Sequence, residues 1–177
     1  MVSALKSTLK GFNTTVKPNK FNIFITVLGI FLGLNPFNLV MAQEPSNTIT
    51  PVEIVKVINE IRSEHKIPAL HLDATLSTYS SDWALTIAKK GKLVHRFSSN
   101  LKEIISRENY NGLCENIAFH SVQGSSAQKI VTSWMNSPSH RTNLLRENNN
   151  RCGIGIAIQG SRIYVVFNGA DSGLYGK

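Results

Sequence analysis

Two short stretches hold most of the residues able to do chemistry. One is Cys114-Glu115-Asn116-Ile117-Ala118, with a thiol and a carboxylate. The other runs from Trp134 to Leu145 and brings Ser137, Ser139, His140 and Arg141 close together. A histidine can carry a proton near neutral pH or ligate a metal, and a carboxylate can act as a base. The two serines lack the strained strand-to-helix elbow that presents a nucleophile. Ser137, followed by Pro138, reads instead as the N-cap of a helix. His140 then falls in the first turn, where the positive helix end and neighbouring Arg141 favour a neutral imidazole. It is expected to titrate below a free histidine.

Cys114 and Cys152 are the only cysteines. In an exported chain an even count points to a disulfide, and each lies at or beside the start of an expected strand. The bridge would close about 39 residues and contribute roughly 4 kcal/mol. Two buried thiols, or a Cys114 nucleophile with His95 or His140 as its base, are the alternatives.

Five helices and three strands must position these groups. Thr50-Pro51-Val52-Glu53 announces a first helix with a capping box, and Ile54, Ile58 and Ile61, with Val55 and Val57, give it a buried stripe. His65 and His71 flank the turn after it, with no acid or histidine at helical spacing from either. Asp73 caps a second helix carrying Leu76, Tyr79, Ser80, Trp83, Ile87 and Ala88 on one face, and Gly91 closes it. Asn100 is expected to cap a short third helix. Leu113 to Phe119 then alternates, with Glu115, Ile117 and Phe119 on one face and Cys114, Asn116 and Ala118 on the other. A glutamate on the more apolar face should be partnered or lie at the mouth of a cleft. A fourth helix carries Ala127, Ile130, Val131, Trp134 and Met135, and a fifth opens at Ser137-Pro138. Ile154 to Ile158 and Ile163 to Phe167 form a hairpin about Gly160-Ser161. The order of elements predicts an α+β fold: helices against both faces of a small antiparallel sheet of about three strands.

The first 20 residues are basic, Phe21 to Leu34 is apolar, and Val40-Met41-Ala42 supplies a small-residue cleavage site. This reads as a signal peptide over 1–42 cleaved after Ala42, because the run is shorter than the ~20 residues that span a bilayer. An uncleaved membrane anchor is the alternative. Residues 43–50 read as a linker, 51–171 as the folded domain and 172–177 as a tail. From Gln43 onward 15 Lys and Arg stand against 11 Asp and Glu. That balance, without a basic cluster, gives no nucleic-acid footprint.

Taken together, His95, Cys114-Glu115-Asn116-Ile117-Ala118, the Trp134–Leu145 run and Gly153–Ala157 closing with Tyr164–Phe167 resemble the CAP superfamily. Its members are the cysteine-rich secretory, antigen 5 and pathogenesis-related-1 proteins, and the Ser137–Arg141 form is similar to the bacterial SCP-like extracellular branch. The resemblance implies a three-layer α-β-α sandwich and a cleft of two histidines and two glutamates, which in some members binds a divalent metal. It assigns His95, Glu115 and His140 to three of those positions, with Ser137 where the second glutamate would stand. Cys114 stands where the family usually has glycine, an implied reason for Cys152. His95 and His140, with Glu115, are the candidate ligands of a metal such as zinc. The expected role is a secreted binding module for a small ligand, lipid or envelope component. A metal-dependent, peptidase-like hydrolase is the alternative, and a structural matrix or coat protein a third.

Overall fold

The computed structural model of the chain describes residues 49–173. The expected signal peptide, nearly all of the linker and most of the tail lie outside the described residues. Among those described, no helix is long and apolar enough to cross a membrane.

Helix α1 (Pro51–Glu64) starts as its sequence dictates. Glu53 N donates to Thr50 Oγ1 at 3.2 Å, and Thr50 N donates to Glu53 Oε2 at 2.8 Å. This capping box supplies acceptors to amides that would otherwise lack intrahelical partners. The buried stripe is Ile54, Val55, Ile58 and Arg62, with Ile61 only partly covered. The apolar pattern thus continues into an arginine. Strand β1 (His71–Leu72) follows, then α2 (Ala74–Lys90), capped by Asp73 and ended by Gly91 in the left-handed conformation at φ 64°. Helix α3 (Ser98–Glu108) begins earlier than expected. Its N-cap is Phe97, not Asn100, and no side chain caps it. Asn100 sits inside the first turn, where its amide donates to Phe97 O at 3.0 Å.

Strand β2 (Gly112–Ser121) leads to α4 (Ala127–Met135) and α5 (Pro138–Leu144). Strands β3 (Arg151–Gln159) and β4 (Arg162–Asp171) form the final hairpin, turned by Gly160 at φ 59°. The sheet order is β1-β3-β4-β2. It has four strands rather than three: β1 pairs parallel with β3 through His71–Arg151 and Leu72–Cys152. Two residues are too few for an alternation signal, so only the tertiary pairing reveals this strand.

Strand β4 is buried along almost its whole length because helices cover both faces. On one face Ile54 and Ile58 of α1, Ile130, Val131 and Trp134 of α4 and Leu144 of α5 pack against Ile154, Val165 and Phe167. On the other, Ala84, Ile87 and Ala88 of α2 pack on Ile117, Ala157, Tyr164 and Val166. Each fully buried aliphatic side chain contributes roughly 1.5–3 kcal/mol by leaving water. The domain is therefore an α-β-α sandwich. Small residues on β3 let α2 come unusually close: a Cβ on Gly153 would lie 2.3 Å from the Leu76 main-chain carbon, and one on Gly155 would lie 2.1 Å from Ser80 O.

The expected disulfide is not formed. Cys114 and Cys152 are both free and buried. Cys114 is paired across β2–β4 with Gly169, and Cys152 is paired across β3–β4 with the same Gly169. One whole strand therefore separates them, or two inter-strand steps totalling ~10 Å. A bridge requires Cα atoms within about 7 Å. Burial raises the pKa of both thiols, that of Cys152 to about 12, so neither is primed as a nucleophile or for exchange. Intact-mass measurement of non-reduced protein is expected to show the mass of the dithiol form, with alkylation only after denaturation. A mass two hydrogens lighter would refute this arrangement.

Candidate functional site

The site is built where α5 lies against β2 and the segment before α3 crosses in front. Asn116 of β2 is fully buried, and its Nδ2 donates to His140 O at 2.9 Å. Asn143 of α5 answers with Nδ2, which donates to Asn116 Oδ1 at 2.8 Å and to Glu115 O at 3.2 Å. Each bond contributes about 1 kcal/mol, and unmaking one inside the core costs more than that. The two asparagines thus set the backbone of His140 relative to that of Glu115. Their role needs both elements in contact, although both lie in the stretches singled out by sequence.

Alternation along β2 turns Glu115 toward the α2 side, where only 2 % of its side chain is exposed. Its Oε1 lies 3.0 Å from His95 Nδ1 and accepts from Arg96 N at 3.0 Å. Its Oε2 faces Arg96 Nε at 3.6 Å, which is an ion-pair contact and too long for a hydrogen bond. The Arg96 guanidinium also donates to Tyr79 O at 2.6 Å and lies over the Trp83 ring, 4.9 Å from its centroid. Trp83 Nε1 donates to Val94 O at 3.0 Å, so Trp83 braces the segment that carries His95 and Arg96. Arg96 carried no signal in the sequence, where it is one basic residue in an irregular stretch. Burial lowers its pKa, and the charge of Glu115 opposes that shift.

His140 completes the group. Its ring centroid lies 6.3 Å from that of His95, tilted by 52°. Its pKa is lowered by burial and then by the charge of His95. The direction matches the expectation, but the cause does not: Arg141 turns toward His65, with Nη2 3.4 Å from Nε2. Ser137 occupies the N-cap position of α5 with Pro138 behind it, yet its hydroxyl makes no capping bond and lies 3.5 Å from Ser139 Oγ. The structure thus brings His95, Glu115 and His140 together and gives Ser137 no bond to them.

His120 on β2 has its pKa lowered too, by burial and by Lys129. Above the ordinary histidine value of 6.5 both rings are neutral in the folded and unfolded chain. Below it the unfolded chain takes up protons that the folded one resists, so stability falls with pH. Urea midpoints at about pH 7.5 and about pH 5.5 should show this loss, and His120→Gln/His140→Gln should reduce it. An equal midpoint at both values would count against it.

The donor set does not fit a catalytic zinc centre, which uses three protein ligands and an open position. His95 and His140 are two, and Glu115 is held by His95 and Arg96. Among the described residues no group of three or more His, Cys, Asp or Glu is placed to hold an ion. Glu115 instead has the geometry of a carboxylate that fixes the orientation of an imidazole.

Solved structures share this fold. An outer surface protein of Borrelia burgdorferi superposes with a TM-score of 0.58 at 20% identity, covering 67% of this chain and 89% of that one. A cysteine-rich secretory protein of Staphylococcus aureus gives 0.55 at 19%, covering 73% of this chain and 40% of that one. An extracellular protein of Bacillus anthracis with an SCP domain gives 0.51 at 24%, covering 66% and 39%. The chain therefore spans about two fifths of the latter two. No curated protein matches it. The model of the cysteine-rich secretory protein family, CAP, matches residues 55–168, which contain His95, Glu115, His140, Asn116 and Asn143. The chain belongs to the CAP family.

Proposed function

We propose that the chain is an exported binding domain that holds a small ligand, a lipid or an envelope component at the His95–Glu115–His140 cleft without turning it over. The engagement of Glu115 carries this reading. A carboxylate that already accepts from His95 and Arg96 N, and is almost wholly covered, is poorly placed to take a proton from an attacking water. The imidazoles remain as polar groups that orient a ligand, as in most binding clefts. Export rests on the basic start, the apolar run and the Val40–Ala42 site. It accords with the outer-surface, secretory and extracellular descriptions of the similar structures.

Purified protein would be incubated with a cell-envelope extract, re-isolated, and its bound small molecules identified by mass spectrometry. The parent should retain material that a His95→Ala/His140→Ala variant releases; nothing retained by the parent would defeat the binding reading. In parallel, both proteins would be given zinc and a broad peptide library. Zinc-dependent cleavage by the parent alone would establish the hydrolase instead.

A further inference from the structure

Helix α3 carries a polar flank beside its covered side. Asn100, Glu103, Ile104 and Arg107 recur at the spacing of one helical face, yet only Ile104 among them is buried. The apolar stripe that α3 turns to the domain is Leu101, Ile104 and Ile105, and this polar flank runs beside it. Opposite stand Tyr79 of α2 and Arg96, and together the six line a cleft of about 110 Å3. That is several times the ~30 Å3 share of one water. Arg96 forms a wall between this cleft and the histidine site, with Glu115 on its other side.

The lining is rich in donors. Each guanidinium offers five N–H groups in a planar fork. Arg96 Nη2 donates to Tyr79 O, and Arg96 Nε is directed to Glu115 Oε2 at 3.6 Å. Arg107 Nη2 donates to Glu103 Oε1 at 2.8 Å, in a pair about 60% exposed on each side. Such exposed pairs contribute little, so an incoming anion can displace this one. Tyr79 turns its hydroxyl to Glu108 Oε1 at 2.7 Å. Arg96 is balanced by Glu115 on its far side, so the positive charge open to an anion is that of Arg107 once Glu103 gives way. Guanidinium forks match the paired oxygens of carboxylates and phosphates. We propose that this cleft is an oxyanion site, receiving the carboxylate or phosphate group of a small ligand between Arg96 and Arg107 with the Asn100 side-chain amide as a further donor.

The test is a nitrogen-15 NMR titration of the purified chain with inorganic phosphate, with acetate and with chloride, all at one ionic strength. Saturable shifts at Arg96, Asn100 and Arg107 are expected with an oxyanion and not with chloride. Saturation by phosphate alone assigns a phosphate ligand, by acetate alone a carboxylate ligand, and by both the shared chemistry. Arg107→Ala, at an exposed position, should weaken binding about tenfold through loss of a charge-assisted contact. Glu103→Gln removes the competing carboxylate and should tighten it. The proposal is overturned by equal shifts in chloride, by shifts that do not saturate, by unchanged affinity in Arg107→Ala, or by weaker binding in Glu103→Gln.

Discussion

Arg62→Ala is expected to destabilise the domain by about 4 kcal/mol, near the upper end for one substitution. Arg62 is completely buried on the stripe that α1 turns inward. Its Nε donates to Pro68 O at 2.7 Å, Nη1 to Leu144 O at 2.7 Å and Arg146 O at 3.1 Å, and Nη2 to Asn149 O at 3.0 Å. One planar fork thereby satisfies carbonyls at the turn after α1, at the end of α5 and in the loop before β3. Alanine would leave a cavity and deprive those carbonyls of a charged donor, each loss costing about 1–3 kcal/mol before relaxation. Thermal unfolding should show Tm reduced by roughly 12–15 °C. Arg62→Lys should recover only part of this, because one ammonium cannot span the four acceptors. A loss below about 1 kcal/mol for Arg62→Ala would mean the clamp is not a principal support. Because α5 carries His140 and Asn143, the clamp also supports the helix that holds both.

Gly155→Ala should cost about 3 kcal/mol or more, beyond ordinary overpacking, because the obstacle is main chain. The added Cβ would sit 2.1 Å from Ser80 O and 2.2 Å from the Ser80 carbonyl carbon. Helix α2 would have to lift from β3, loosening Ala84 and Ile87 and straining the bond from Ser80 Oγ to Asn168 Oδ1 at 2.9 Å. Ser80→Gly would not relieve the clash, since Ser80 contributes main-chain atoms to it. Gly112→Ala is the control: a Cβ there meets nothing within 4 Å, so its effect should stay within about 0.5 kcal/mol. Urea unfolding gives both comparisons. Equal midpoints for the two variants would show that α2 does not need the groove left by Gly153 and Gly155.

The pieces that were legible are those whose signals act over a few residues. The Thr50–Glu53 box, the Asp73 cap, the Gly91 stop and the Gly160 turn appear where side-chain type and spacing place them. So do the faces of β2, because alternation alone decides that Glu115 and Cys114 point opposite ways. Less legible were positions whose meaning comes from a distant partner. Arg62 continued the stripe of α1, but a charge at a buried position is interpretable only with its acceptors known, three of them more than 80 residues away. Asn100 had the type of an N-cap, and α3 began without it.

By itself the sequence determined the helices, the hairpin and the layered class, since period and caps are local properties of the chain. Tertiary structure decided the rest. It added β1 to the sheet and set β4 between Cys114 and Cys152, keeping both thiols free. It also bound the Glu115 carboxylate to His95 and Arg96. The physical reason is one of range: strand order and hydrogen-bond partners are fixed by which surfaces meet across the core, and no local pattern encodes that meeting.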